Sequence, residues 1–255
     1  MSVIKVMDSH LANMIAAGEV VERPSSVIKE LVENSLDAGS KNIIVKIYQS
    51  GRKKIIVSDD GCGMDKDDAL ICFKRHASSK LYDEYQLFHI KTMGFRGEAL
   101  PSIASVSKIA METSQDGITG TKVLANEEDI NSSVCACKKG TTFTVEELFY
   151  NTPARLKYLK SDYTETASCL EIMQKLALSR SDVAFSFYID DKLSFKTTGR
   201  GDDLEVIASI YGVDTAKKML KISYDSDSFS FEGYISKPEL SRSNRYSMLT
   251  FINDR

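Results

Sequence analysis

The sequence predicts a mixed α/β protein. Val27–Leu36 has apolar residues on one side at helical spacing, and Tyr163–Leu178 repeats that periodicity. Alternating segments rich in Ile and Val predict paired strands at Asn42–Tyr48 and Lys54–Ser58. Turn glycines separate a further antiparallel series of strands: Lys108–Thr113, Thr121–Ala125, Ser133–Cys137 and Thr141–Val145. Helices and mostly antiparallel strands therefore alternate along one chain.

A glycine-rich stretch, Gly199–Asp202, is the best candidate for a domain boundary. It follows strands predicted at Ala184–Ile189 and Leu193–Thr197. After it, we expect a helix at Leu204–Tyr211 and strands at Phe229–Ser236 and Tyr246–Ile252. We therefore divide the chain into residues 1–201 and 202–255. Because roughly fifty residues bury little surface, the second unit is expected to be the incomplete start of another α/β domain.

The composition is that of an ordinary soluble globular protein. Of 255 residues, 42% are hydrophobic and 27% charged, and the net charge of −3 argues against a generally basic nucleic-acid coat. Five cysteines show no zinc-type spacing, and neither a signal peptide nor an apolar run of about 18 residues is visible. We expect a reduced, cytoplasmic protein that does not enter a membrane.

The polar side of the first long helix allows two interpretations. Glu30, Asn34 and Asp37 lie at i, i+4 and i+7, opposite the apolar side. Such a stripe is most often a solvated surface. Alternatively, the Asn34 amide oxygen could bind Mg²⁺, and Glu30 could take a proton from water that attacks a terminal phosphate. For Asp37, a structural hydrogen bond at the helix end is expected instead of a ligand contact.

Two glycine-containing loops suit a nucleotide, although the P-loop motif and the dinucleotide-binding glycine pattern are both absent from the sequence. Gly94 and Gly97 precede a short helix, where free backbone N–H groups could hold phosphates. Asp59 ends a buried strand and could accept a hydrogen bond from an exocyclic amine such as that of adenine. The alternatives are a plain turn with a helix cap, and an ordinary aspartate turn.

In combination, these stretches resemble a known superfamily. Four segments in order, Glu30–Asn34, Asp59–Gly63, Gly94–Leu100 and Gly140–Thr142, are similar to the ATP-binding motifs shared by DNA gyrase, Hsp90, sensor histidine kinases and MutL. Within that superfamily the sequence most resembles the MutL family of DNA mismatch-repair proteins. Three stretches carry this resemblance: Ile15–Pro24, Lys29–Gly39 and Phe149–Arg155.

The resemblance implies a Bergerat-type ATP-binding fold, a two-layer sandwich of helices on a mixed, largely antiparallel sheet. It implies ATP and Mg²⁺ as cofactors, with Glu30 as general base and Asn34 as the metal ligand. Asp59 would bind the adenine amine beside a base pocket formed by Ala38, Met64 and Thr142, and Gly63 would also contact the nucleotide. The phosphates would lie near two side chains and a backbone lid: Ser79, Lys80, Met93, Gly94, Phe95, Arg96, Gly97, Glu98, Ala99 and Leu100.

The resemblance also implies a slow ATPase whose nucleotide acts as a conformational switch. In such a protein, ATP closes a dimer through the N-terminal segment, here about Met1–Val20. The implied partners are a mismatch-recognition protein of the MutS type, downstream repair factors and, weakly and without sequence specificity, DNA. Arg155, Lys157 and Lys160 form a modest basic cluster, for which a solvated surface is the alternative.

Two departures from the family pattern matter. Asp60 stands where MutL sequences usually have Asn. Since two adjacent carboxylates facing the base would raise each other's pKa, Asp60 is expected to point outward. In the family, a lysine that contacts the γ-phosphate lies just beyond the segment that Tyr246–Arg255 resembles. We therefore expect a fragment in which ATP binding survives better than hydrolysis.

Two other classes of protein compete with this interpretation. A kinase or chaperone ATPase of the same superfamily is one; for the kinase, none of His10, His76 and His89 lies in a dimerising hairpin pattern. The other is a nucleotide-binding interaction module with little or no turnover.

Overall fold

The structure is a computed structural model that describes Gly18, residues 20–80, 92–94, 97–127, 129–241, Ser243, Arg245 and residues 247–253. Phe95, Arg96 and nearly all of Met1–Val20 lie outside the described residues. In chain order the helices and strands are α1 (Pro24–Asp37), β1 (Asn42–Tyr48), β2 (Lys54–Asp59), α2 (Lys66–Ile71), α3 (Ala99–Ala104), β3 (Lys108–Ser114), β4 (Gly120–Ala125), β5 (Ile130–Cys135), β6 (Gly140–Glu146), α4 (Pro153–Tyr158), α5 (Asp162–Ser179), β7 (Ala184–Ile189), β8 (Lys192–Lys196), α6 (Asp203–Tyr211), α7 (Val213–Ala216), β9 (Met219–Asp225) and β10 (Ser230–Ser236).

Eight strands form one mixed sheet in the order β5-β4-β3-β6-β2-β1-β7-β8. Neighbouring strands are antiparallel except β1 and β7, which run parallel with Asn42 opposite Ala184. On the other side of β1, Ile43 lies opposite Asp59 of β2. The predicted mixed, largely antiparallel sheet is confirmed.

Helices α1 and α5 pack against each other and against one face of this sheet. Alternation along β1 buries Ile43, Val45 and Ile47 beneath the helices and turns Ile44, 41% exposed, to the opposite face. Helix α1 contributes the fully buried Ile28 and Leu31 to the same core. One face of the sheet is therefore covered and the other is open, which confirms the predicted two-layer sandwich.

Helix α1 begins at Pro24 and ends at Asp37, as its sequence signals predict. Arg23 is extended and Pro24 occupies the first turn, where its lack of an N–H leaves no bond unmade. After the helix, Gly39 has φ of +75°, a conformation that favours glycine. The apolar side of α1 faces the sheet, so its polar side faces away from the core.

Residues from α6 onward hold a separate hairpin of β9 and β10. The strand predicted at Phe229–Ser236 corresponds to β10, whereas β9 was not predicted, because Met219–Asp225 is exposed along most of its length and carries little burial pattern. The strand predicted at Tyr246–Ile252 is wrong for the residues that can be described, since residues 247–253 contain no strand. Their apolar residues Met248 and Phe251 line a cavity. Strand β5 also starts earlier than predicted, because all of Ile130–Cys135 pairs with β4.

None of the helices within the described residues combines the length and apolar character needed to cross a membrane.

Candidate nucleotide-binding site

A cavity of about 1790 Å³ opens beside the polar side of α1. It extends from that helix to the end of β2 and to the loop before α3. Most of the predicted site residues line it, namely Glu30, Asn34, Ala38, Asp59, Gly63, Met64, Ser79, Lys80, Met93, Gly94, Gly97, Glu98, Ala99 and Leu100. The fold therefore gathers residues that are far apart in sequence around one space.

Glu30 and Asn34 line the cavity from successive turns of α1. They share one face of the helix because they are four residues apart. The Glu30 side chain is 27% exposed, and its Oε1 lies 4.0 Å from Lys29 Nζ, at the limit of an ion pair. Its carboxylate is therefore open to the cavity and not enclosed by a strong partner.

Asn34 holds a cationic group at its amide oxygen. Lys80 Nζ donates to Asn34 Oδ1 at 2.8 Å and lies 2.5 Å from Asp37 Oδ2. The side chains of Lys80 and Asp37 are only 17% and 8% exposed. Charge-assisted bonds of this kind are stronger when water is largely excluded. The Asn34 oxygen is therefore an acceptor that already stabilises positive charge.

Asp37 also fixes the glycine loop. Its Oδ1 accepts the Met93 N–H at 2.8 Å, and its Oδ2 accepts the Gly94 N–H at 3.0 Å. The expected structural hydrogen bond of Asp37 thus extends beyond the helix end to a loop more than fifty positions later. Sequence reasoning gave no sign of that partner, since no local pattern relates Asp37 to Met93.

Asp59 sits at the end of β2 with both carboxylate oxygens engaged. Oδ2 accepts Ser35 Oγ–H at 2.8 Å, whereas Oδ1 accepts the N–H groups of Gly61 at 2.9 Å and Thr141 at 3.3 Å. The Ser40 hydroxyl lies 3.2 Å from Oδ1, although it is closer, at 2.6 Å, to the Ser35 carbonyl oxygen. Oδ2 retains lone-pair capacity for one more donor.

Burial raises the pKa of Asp59, and the hydrogen bonds from Gly61, Ser35, Ser40 and Thr141 offset only part of this effect. Sequence reasoning did not single out Ser35 or Ser40. Their one detectable signal is that small hydroxyl residues lie in the last turn of the helix and just after it.

Asp60 points away from the cavity, as expected. Its Oδ1 accepts the N–H groups of Lys41 and Asn42 at 2.8 Å each, and its Oδ2 accepts the Asn42 side-chain amide at 2.6 Å. Partial burial acts to raise the pKa of Asp60, but the bonds from Asn42 and Lys41 together hold it below the usual value. The second carboxylate is therefore used to fix the start of β1.

Thr142 does not line the cavity; Thr141 does. Side chains alternate along β6, and Thr141 and Phe143 face the helices while Thr142 faces the open side of the sheet. There the Thr142 hydroxyl bonds Ser58 Oγ at 2.7 Å. Thr141, and not the expected Thr142, therefore faces the base pocket. A shift of one position along a strand moves a side chain to the opposite face.

Gly63 needs to be glycine at its position. Its φ is +68°, and a Cβ added there would collide with the carbonyl oxygen of Ser114. The neighbouring Met64 N–H donates to Thr113 Oγ1 at 2.9 Å. The loop after β2 is therefore packed tightly on the end of β3, and its position relative to Asp59 is fixed.

Comparisons with known proteins agree with this geometry. A family model described as histidine kinase-, DNA gyrase B- and HSP90-like ATPase matches residues 22–151, which include α1, Asp59 and the glycine loop. The chain belongs to this ATPase family. A second model, described as DNA mismatch repair protein, C-terminal domain, matches residues 207–255.

The chain is similar over its full length to curated MutL proteins. It is 50% identical over 253 residues to the DNA mismatch repair protein MutL of Staphylococcus carnosus, covering 99% of this chain and 39% of that protein. It is 48% identical to MutL of a Geobacillus species, covering 100% of this chain and 41% of the relative. The chain thus spans about two fifths of the length of these relatives.

Solved structures show the same fold. One is described as the N-terminal domain of a DNA repair protein, with a TM-score of 0.72, 25% identity and coverage of 84% of this chain and 64% of that chain. Another, the Aquifex aeolicus MutL ATPase domain complexed with ADP, gives a TM-score of 0.67 at 25% identity and covers 86% and 78% of the two chains.

The residues present fit the Mg²⁺ ion that this ATPase family implies. Within the part of the chain that the structure describes, no group of three or more His, Cys, Asp and Glu side chains is arranged for a metal. Mg²⁺ bound with a nucleotide needs no such group, because it takes one or two protein ligands together with phosphates and water. Asn34 Oδ1, which stabilises the Lys80 ammonium, is an oxygen ligand suited to that role.

Proposed function

We propose that the chain binds ATP with Mg²⁺ in this cavity and hydrolyses it slowly, as the switch domain of a MutL-type mismatch-repair protein. The observation that carries the proposal is the placement of Glu30 and Asn34 on one face of α1, lining the same cavity as Asp59. A general base, a metal ligand and an acceptor for the adenine amine would then lie in the same order as the terminal phosphate, the phosphate-bound metal and the base of ATP.

In this proposal Asp59 accepts the adenine amine through the free lone pair of Oδ2, while Ala38, Gly63 and Met64 surround the base. Thr141 takes the place that the sequence suggested for Thr142. The phosphates lie toward Ser79, Lys80 and the loop held by Asp37. N–H groups that follow Gly94, toward α3, would bind them, and the proposed lid, Met93–Leu100, includes Phe95 and Arg96.

Glu30 is the proposed general base. A carboxylate that is partly open to the cavity can hold a water against the terminal phosphate and take its proton as the bond forms. Asn34 would hold Mg²⁺, which neutralises charge that develops on the phosphate oxygens when it is bound.

Beyond the nucleotide, we propose ATP-dependent self-association through the N-terminal segment, and contacts with a MutS-type protein, with downstream repair factors and weakly with DNA. The similarity to MutL proteins supports these partners. We further propose a cytoplasmic location and a division into an ATP-binding domain, residues 1–201, and a second unit, residues 202–255, matched from residue 207 by its own family model.

The experiment that tests the proposal separates binding from turnover. Glu30→Ala should bind a non-hydrolysable ATP analogue with Mg²⁺ nearly as tightly as the unchanged chain in a calorimetric titration. Its release of phosphate from ATP should fall by at least about 100-fold, the usual contribution of a general base. Glu171→Ala removes a carboxylate that does not line the cavity and that pairs with Lys175, so it should change neither quantity.

Equal loss of binding and turnover in Glu30→Ala would contradict the assigned role. If the unchanged chain binds the analogue but releases no phosphate, the alternative of a non-catalytic nucleotide-binding module is correct. Absence of both binding heat and a thermal shift would exclude a nucleotide function altogether.

A further inference from the structure

We propose that Lys80 occupies the place of the metal cation while the site holds no nucleotide, and that Mg²⁺–ATP must move its ammonium group off Asn34. This inference rests on the proposed function, because it assigns the cation that replaces Lys80. Lys80 would then weaken the binding of free metal and strengthen the binding of Mg²⁺–ATP.

The geometry places one ammonium between two oxygen acceptors on the same helix face. Lys80 Nζ lies 2.8 Å from Asn34 Oδ1 and 2.5 Å from Asp37 Oδ2. The backbone of Gly94 closes the third side, since a Cβ added there would lie 3.1 Å from Nζ. With its side chain only 17% exposed, Lys80 is held in a small polar enclosure and not extended into solvent.

Mg²⁺ and this ammonium would compete for the Asn34 oxygen. Mg²⁺ binds oxygen at about 2.0–2.1 Å, so an ion on Oδ1 would lie within about 5 Å of a lysine bonded to the same atom. Repulsion between a divalent and a monovalent cation at that distance is large in a partly dehydrated site. One of the two cations therefore has to leave Asn34.

The nucleotide supplies the reason for Lys80 to move. Its triphosphate carries enough negative charge for both cations, so the ammonium can turn to a phosphate oxygen while Mg²⁺ takes Asn34. Asp37 stays within reach of Lys80 and continues to hold Met93 and Gly94. The same carboxylate therefore couples the exchange of cations to the loop that wraps the phosphates.

Before ATP arrives, the lysine should suppress binding of free metal, and after ATP arrives it should strengthen nucleotide binding. A lysine with only a structural role would lower both affinities when removed. The two measurements therefore distinguish the proposed exchange from simple support of the fold.

The test uses Lys80→Met, which keeps most of the aliphatic stem and removes the charge. Free Mn²⁺, followed by electron paramagnetic resonance without nucleotide, should bind several-fold more tightly than to the unchanged chain. Affinity for a non-hydrolysable ATP analogue with Mg²⁺ should fall by about tenfold, as expected for loss of one charge-assisted bond. Lys80→Gln, which keeps a donor without charge, should show the same two directions.

Lys175→Met is the matched control. Lys175 also lines the cavity, but its ammonium bonds Glu171 at 2.7 Å and not Asn34. It should leave both affinities unchanged. Adding Asn34→Ala to Lys80→Met should remove the gain in Mn²⁺ binding.

Unchanged or weaker Mn²⁺ binding in both folded Lys80 variants would overturn the inference. That outcome differs from failure of the proposed function, in which the unchanged chain itself does not bind the ATP analogue. Far-ultraviolet circular dichroism of each variant establishes that it is folded before either affinity is compared.

Discussion

Ser35 donates its hydroxyl hydrogen to Asp59 Oδ2 at 2.8 Å, joining the helix that carries Glu30 and Asn34 to the carboxylate proposed to bind adenine. Ser35 is 3% exposed, so this bond is sheltered from water. This one contact between α1 and β2 therefore fixes the residues proposed to bind the phosphates relative to the carboxylate proposed to bind adenine.

Removing that hydroxyl should weaken nucleotide binding more than it weakens the fold. Ser35→Ala leaves Oδ2 of a buried carboxylate without its protein donor, and we expect a loss of about 1–2 kcal/mol in unfolding free energy. Analogue affinity should fall because Asp59 is no longer oriented. Urea denaturation and calorimetry measure the two effects, with Ser25→Ala, on the same helix but outside the cavity, as control. Unchanged affinity would show that Ser35 does not orient Asp59.

The raised pKa of Asp59 should appear in the pH dependence of stability. A carboxyl group whose pKa is higher in the folded state than in the unfolded state binds a proton more tightly when folded. Stability therefore falls as pH rises through the interval between the ordinary aspartate value, about 3.9, and the raised value. Urea unfolding at a series of pH values should show this fall for the unchanged chain relative to Asp59→Asn. A relative rise across that interval would contradict the assignment.

Nucleotide binding should respond to pH in the opposite direction. Protonation of Asp59 removes charge from the proposed adenine acceptor, so analogue affinity should decrease as pH falls through the raised pKa of Asp59. Calorimetric titrations at a series of pH values below neutrality measure this decrease. An analogue that lacks the exocyclic amine provides the control, since its weaker binding should not change when Asp59 is protonated.

Asp37→Asn should release the glycine loop. The carboxylate accepts the Met93 and Gly94 N–H groups and pairs with Lys80, and an amide can replace only part of this set. We expect analogue affinity to fall by about tenfold, roughly the effect of one charged hydrogen bond. Limited proteolysis should cut near Met93 more rapidly. Asp60→Asn, which alters the outward-facing carboxylate after β2, should change neither result.

Gly63→Ala and Gly39→Ala form a matched pair that separates backbone strain from collision. Both glycines have positive φ, +68° and +75°, but only an alanine at position 63 would meet Ser114, whereas nothing lies within 4 Å at position 39. Each variant should lose about 1 kcal/mol or more of unfolding free energy through the left-handed conformation. Gly63→Ala should lose more and also bind the analogue weakly, as thermal unfolding and calorimetry can establish. Equal losses would argue against close packing at Gly63.

The local features of this site were predictable from the sequence, and their long-range partners were not. Periodicity placed Glu30 and Asn34 on one helix face, and the strand followed by two glycines marked Asp59. The bonds from Asp37 to Met93 and from Ser35 to Asp59 join distant segments, so no spacing rule reveals them. The family resemblance placed Thr142 in the base pocket, one residue from Thr141, and a shift of one residue along a strand reverses the face of the sheet.

The same distinction applies to the fold. Antiparallel neighbours such as β1 and β2 are close in sequence and joined by a short turn, so they could be predicted. The parallel pairing of β1 with β7 could not, because it has no local turn signal. Tyr246–Ile252 shows the converse error, in which an apolar segment resembled a strand but its described residues contribute to a cavity lining.

The parallel pair β1–β7 has a consequence for the order of folding. More than half of the chain's length separates Asn42 from Ala184, and β1 is paired on both sides only after β7 has joined it. Closing so large a loop is entropically costly and slows formation of non-local sheets. Helix α1 packs against both the sheet and α5, the helix directly before β7. A nascent chain would therefore complete the central sheet only after β7 has emerged from the ribosome, and a shortened chain without β7 would leave one edge of β1 unpaired.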